Sequence, residues 1–304
     1  MKQFNLALSL MAALVSLNAF AATGESWDGR VYDVSRQAFL SAGEVRAGLS
    51  GAQIVVLGEK HNTASVQLQE ARAVEAALEA NPWAAGSWVL GWEFLNRRDQ
   101  KAIDELWSQF NGGELTTREL MDQLVGPGRE STYIPILEAA SRFGGGLRGL
   151  NLSRDEKAPV VKGGIGALDP ALIPPGFAMG GEGYRERFNA AMGGGHASPD
   201  QLDRYFQAQC LVDDVMAYSL LQGEAYLRIE VSGSFHSDYF DAAIARIRAR
   251  DAVSRLLSIR FVDAADYTEA ELIPQLKLSE PVMDPKYGAI ADWIWFAGTP
   301  ASAR

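Results

Sequence analysis

Ile54-Val55-Val56-Leu57-Gly58-Glu59-Lys60-His61 is the stretch on which the fold turns. Four apolar residues in a row, mostly β-branched, read as a strand buried on both faces, the kind that sits inside a parallel sheet. Gly58 ends the run and lets the backbone leave the sheet sharply, close to whatever lies beyond it. If the chain stays extended, Glu59 and His61 point the same way, because side chains alternate with period two. The same pattern returns where a strand over 227–232 runs into Gly233-Ser234-Phe235-His236, a second strand end of the form Gly-x-x-His.

Outward from these turns, strand-length apolar runs alternate with helical patterns. Helices are expected over 64–78, 98–110, 116–125, 134–143, 184–192, 199–221 and 239–250. A further helix over 154–168 is disturbed by Pro159 and Gly163-Gly164. Ser198 as cap and Pro199 in the first turn open the longest one. Strands are expected over 88–94, 147–152 and 254–262, with 289–296 pairing at a sheet edge. This alternation predicts an α/β fold with a mainly parallel β-sheet flanked by helices. Pro- and Gly-rich residues 172–183 and Gly193-Gly194-Gly195 bracket a helical insertion over about 170–222. With no long linker and no repeat, residues 22–304 read as one domain.

Residues 1–21 read as a secretory signal peptide. Lys2 precedes an apolar run over 6–17, and Ala19-Phe20-Ala21 places small residues at the −3 and −1 positions of a cleavage site. That run is too short for a membrane span, and no other stretch approaches the ~18 apolar residues required. The mature chain is therefore expected to be exported, periplasmic or extracellular, and soluble, with no transmembrane segment. The residue directly after the expected cleavage point is Ala22, not a cysteine that could carry a lipid anchor. Loss of Lys2 takes the formal charge from −10 to −11. An acidic chain without a basic block is a poor partner for nucleic acid. Cys210 is the lone cysteine, so no intramolecular disulfide forms.

Ligands of open α/β sheets bind beyond the carboxyl ends of the strands. Polar groups stand there after four strands: Glu59, His61 and Asn62; Glu93 and Asn96; Asn151 and Arg154; Ser234, His236 and Asp238. A carboxylate beside an imidazole either shares a metal ion with it or fixes its tautomer. His196 follows the glycine triplet and reads as a ligand supplied from a loop or as an exposed loop histidine. Gln209, Asp213 and Met216 share one helix face. A buried acid there needs a partner, and a site histidine or Arg154 would provide one. No Gly-x-Ser-x-Gly elbow, Walker loop, His-Glu-x-x-His or haem-attaching Cys-x-x-Cys-His is present.

The residues 54–61 with Gly91-Trp92-Glu93-Phe94 resemble the ChaN-like haem-binding uptake proteins of the wider Tiki/erythromycin-esterase-like superfamily. The likeness continues through Asn151-Leu152-Ser153-Arg154, through Tyr184-Arg185-Glu186-Arg187-Phe188 with Met192 and His196, and through Gln209 to Asp213 with Met216-Ala217. It closes at Gly233-Ser234-Phe235-His236. The resemblance implies haem binding in iron acquisition, with haem or another small ligand as partner, a homodimer, and contact with envelope transport machinery. Cofactor ligands would come from His196, Tyr184, His61, His236 and Arg154. The wider superfamily implies an alternative, a metal-dependent hydrolase. There a divalent metal ion would sit on His61, His236, Glu59 and Glu93, and catalysis would use Glu59, His61, Glu93, Arg154 and His236. The additional match around His196 favours binding over catalysis.

Overall fold

The computed structural model describes residues 26–192, 197–272, 278 and 281–301; the expected signal peptide and His196 lie outside the described residues. Two short strands, β1 (Val31–Asp33) and β2 (Ala38–Leu40), form a hairpin that leads into α1 (Ala42–Leu49). The apolar run at 54 becomes β3 (Ile54–Glu59), buried along its whole length. Then come α2 (Ala64–Ala80), β4 (Trp88–Asn96), α3 (Gln100–Asn111), α4 (Thr117–Val125), α5 (Ile134–Arg142) and β5 (Gly146–Asn151). They are followed by α6 (Arg154–Gly163), α7 (Glu182–Met192), α8 (Pro199–Leu220), β6 (Leu227–Gly233), α9 (Ala242–Arg250) and β7 (Leu256–Asp263). The last elements are α10 (Glu269–Leu272), a small pair β8 (Met283–Asp284) and β9 (Gly288–Ala289), and β10 (Trp293–Ala297).

Eight strands make one sheet in the order β2-β1-β10-β7-β3-β6-β4-β5. Every pairing from β10 across to β5 is parallel, and the β1–β2 hairpin adds an antiparallel margin. This is the α/β class read from the alternation. One expectation is corrected: β10 is not an edge strand, because β7 flanks it on one side and β1 on the other. Its buried Trp-Ile-Trp-Phe-Ala run suits that interior place. Strands of three residues are too short to show a period, which is why the hairpin at the margin left no readable pattern.

Alternation along the strands divides their side chains between two cores. Val55 and Leu57 of β3 pack with α1, α2 and α5, whereas Ile54 and Val56 pack with α8 and α9. Each such fully buried side chain contributes about 1.5–3 kcal/mol. Continuing the count puts Glu59 on the α2 side. Trp88, Leu90 and Trp92 of β4 face the first core, so Glu93 falls on the α8 side. Leu227, Ile229 and Val231 of β6 likewise leave Glu230 and Ser232 on the α8 side. Helix starts follow local chemistry: Ser153 opens α6 in a capping box with Glu156, and Ser198 opens α8 in one with Gln201. The helix of α6 runs through Pro159 and stops at Gly164, whose φ of 79° favours glycine. Among the described residues no helix is long and apolar enough to cross a membrane.

Candidate functional site

β3, β6, β4 and β5 are neighbours, so the polar residues that follow them share one end of the sheet. On the α2 side, Glu59 is buried and held by three groups. Its Oε1 accepts the Tyr133 hydroxyl and lies 2.8 Å from His61 Nδ1, while Oε2 accepts the Gln67 amide. On the α8 side, His236 Nδ1 lies 2.6 Å from Asp213 Oδ1, and Tyr184 donates to Asp213 Oδ2 at 2.7 Å. Glu93 joins the halves. His61 Nε2 is 3.7 Å from one of its oxygens, His236 Nε2 is 3.4 Å from the other, and the Gly233 N–H donates to it at 2.7 Å. Acids and imidazoles thus alternate across the strand ends in the order Glu59, His61, Glu93, His236, Asp213, with a tyrosine at each end.

The two glycines serve each other's turns. A Cβ on Gly58 would stand 2.2 Å from Ser237 Oγ, in the turn that carries His236. A Cβ on Gly233 would stand 2.6 Å from His61 Nε2. Both positions therefore need glycine for close approach, not for an unusual φ.

The charges in this line hold one another. Burial alone would lower the pKa of His236, but Glu93 and Asp213 outweigh it and raise it well above the ordinary histidine value. His61 shows the same balance more mildly, with its hydrogen bond to Glu59 and the charge of Glu93 prevailing over burial. Burial would raise Glu93, yet His236, His61 and the Gly233 N–H bring its carboxylate down to about 2. Two further acids lie beneath. Burial and the neighbouring Glu59 push Glu70 well up, and neither of its carboxyl oxygens has a hydrogen-bond partner of good geometry. Burial lifts Glu230 to about 7, with Ser232 donating to one oxygen at 2.9 Å.

Of the residues expected from sequence, Glu59, His61, Glu93 and His236 are brought together. Asp213 finds the partner its buried position required, and that partner is His236. Arg154 is exposed at the start of α6, whereas Lys157, one turn on, is half-buried and senses the charge of Glu93. Tyr184, expected as a haem ligand, is buried with its hydroxyl on Asp213; burial and that carboxylate raise its pKa. It supports the line of groups and offers no free oxygen. The expected divalent-metal set is not assembled. His61 meets Glu59 through Nδ1 and Glu93 through Nε2, opposite sides of the ring, so the two carboxylates cannot share one ion with it. Among the described residues no group of three or more His, Cys, Asp or Glu side chains is placed to hold a metal ion.

Sequence reasoning missed Tyr133, Gln67, Glu70, Lys157 and Glu230. Gln67 and Glu70 fall four and seven residues after Thr63, the cap position of α2, on a helix face that also carries Val66 and Val74 into the core. Polar residues inside an apolar stripe were the available signal. Two cavities, of about 380 and 180 Å³, lie away from the histidines; the smaller reaches the site only through Tyr184.

The sequence profile of the haem-binding uptake proteins of the Tiki superfamily, ChaN, matches residues 45–247. The chain belongs to this family. All of the alternating acids and imidazoles, from Glu59 to His236, fall inside the ChaN match. The fold agrees with that of ChaN of Campylobacter jejuni, a structure described with cofacial haem binding. The overlay has a TM-score of 0.69 at 16% identity and covers 89% of this chain and 97% of that one. The type III effector HopBA1 aligns with a TM-score of 0.46 at 12% identity, over 91% of this chain and 99% of that one. A Bacillus cereus protein aligns with a TM-score of 0.45 at 11% identity, over 86% and 94% respectively. No curated protein matches the chain in sequence.

Proposed function

We propose that this ChaN-family chain is an exported haem-binding protein of haem or iron uptake, and that it takes haem at the carboxyl ends of its strands through His61. The observation that carries the ligand choice is exposure. The His61 side chain is 40% exposed and that of His236 only 10%. With Nδ1 held on Glu59, His61 is oriented by a carboxylate in the manner of a metal-binding imidazole; Nε2, which now faces Glu93 at 3.7 Å, is the nitrogen that would turn to the iron. Bound haem supplies an iron centre that accepts an imidazole lone pair. Phe94 packs edge-on against the His61 ring at 4.9 Å between centroids and adds apolar surface beside it. Export rests on the leader-like residues 1–21.

Hemin titrated into the purified protein is expected to give a saturable Soret shift that His61→Ala abolishes or moves and His236→Ala leaves closer to the parent. Hemin spectra identical with and without protein at every ratio would remove the haem reading. Loss of the shift in neither variant would remove His61 as ligand.

One observation favours hydrolysis as a second reading. Glu93 lies between two imidazoles whose far nitrogens rest on carboxylates, an arrangement suited to holding and moving a proton. Turnover of activated esters or peptides that Glu93→Gln abolishes would support it; equal rates in both proteins would sink it.

A further inference from the structure

We infer that Lys157 is the anchor for an anionic group of the ligand, of the carboxylate class that the propionates of a porphyrin present; the inference rests on the haem reading and deepens it. Lys157 stands one turn into α6, which begins after two residues that follow β5. The capping box of Ser153 and Glu156 fixes that first turn, with Ser153 N–H donating to Glu156 at 2.8 Å. The lysine is therefore placed by a helix, not by a loop.

Its ammonium is half-buried, and among the described residues it makes no hydrogen bond and no ion pair. Burial lowers its pKa, and the charge of Glu93 opposes this only in part. A desolvated cation without a counter-charge is unfavourable unless something supplies one. Three other cations near this end of the sheet have partners. Lys60 reaches Asp266 at 2.7 Å, Arg97 donates to the Leu172 carbonyl at 2.7 Å, and Arg187 donates to the Asp238 carbonyl at 3.2 Å. Arg154 is exposed, so water suffices. Glu93 makes no ion pair with Lys157; its oxygens meet two imidazoles and the Gly233 N–H instead. Lys157 is left as a half-buried positive charge in the first turns after β5, the strand that pairs with the one carrying Glu93.

A ligand edge with a carboxylate would complete it. An ammonium has three donors and tolerates a range of carboxylate orientations, which suits a flexible propionate arm.

The test compares hemin with its dimethyl ester, which keeps the iron and ring but carries no propionate charge. Both are titrated into the parent protein, Lys157→Met and Lys157→Arg, with the Soret band as readout and circular dichroism as the check on folding. The parent is expected to prefer the free acid by about tenfold, the effect of one charge-assisted hydrogen bond. Lys157→Met is expected to erase that preference by weakening the free acid alone, and Lys157→Arg to keep most of it. Equal affinity of the parent for acid and ester would overturn the inference, as would equal weakening of both by Lys157→Met. No Soret change for the parent with either compound would fell the haem reading first and this inference with it.

Discussion

Tyr133 and Tyr184 hold equivalent places at the two ends of one polar line. Each donates its hydroxyl to a buried carboxylate, Glu59 or Asp213, and each carboxylate faces Nδ1 of a site histidine. They reach these places from opposite faces of the sheet, Tyr133 from the turn before α5 and Tyr184 from α7. Removing either hydroxyl leaves a carboxylate short of a donor. Tyr133→Phe and Tyr184→Phe should each lower stability by about 1–2 kcal/mol in urea titration. Tyr133→Phe should in addition alter the hemin spectrum, because it loosens the acid that orients His61. Unchanged midpoints in both variants would remove this pairing as a structural support.

Glu70 is fully buried beside Glu59, with both carboxyl oxygens lacking a well-formed partner. Its raised pKa means that its contribution to stability is complete below the ordinary carboxyl range and declines as pH rises above it. A neutral amide keeps the shape and can still donate to Glu59. Glu70→Gln should therefore raise the melting temperature at neutral pH and change it little at pH 4. A lower melting temperature at pH 7 would contradict this account.

Glu230 gives a separate pH signature. With a pKa lifted by burial from 4.5 to about 7, it favours the folded state fully below pH 4.5 and loses that contribution as pH rises through 7. The full shift corresponds to a loss of up to about 3 kcal/mol. Denaturant midpoints of the parent should fall between pH 5 and pH 8 more steeply than those of Glu230→Gln. Parallel profiles would show that Glu230 titrates as an ordinary acid.

Gly233→Ala would drive a methyl group into the His61 ring, and Gly58→Ala would drive one into Ser237. Overpacking of this kind costs about 1–3 kcal/mol. Both variants should fold less stably. Gly233→Ala should also weaken hemin binding by displacing His61. Full affinity in a folded Gly233→Ala protein would show that the His61 position is not critical.

Much of the site was legible because it sits where backbone grammar is strict. Gly58, Glu59 and His61 end an apolar run, Glu93 lies near the end of the next strand, and the turn from Gly233 to His236 repeats the first pattern. Asp213 was legible as an acid on a helix face that burial would force to pair. Tyr133 was not, because it reaches Glu59 from 74 positions away in the turn before α5, and Gln67 was visible only as a polar residue inside the apolar stripe of α2. Lys157 was passed over for Arg154, three residues earlier, because the sequence does not say which side of α6 faces the site. The β1–β2 hairpin was too short to carry a period, and its absence from the reading left β10 looking like an edge.

The reciprocal fit of Gly58 and Gly233 ties together two segments far apart in the chain. Neither Gly-x-x-His word is complete alone, since the room that each glycine provides is used by the other turn. A design that transplanted one turn into a different parallel sheet would carry half of an interlock. Replacing either turn by one that lacks its glycine would close the room on which the other depends.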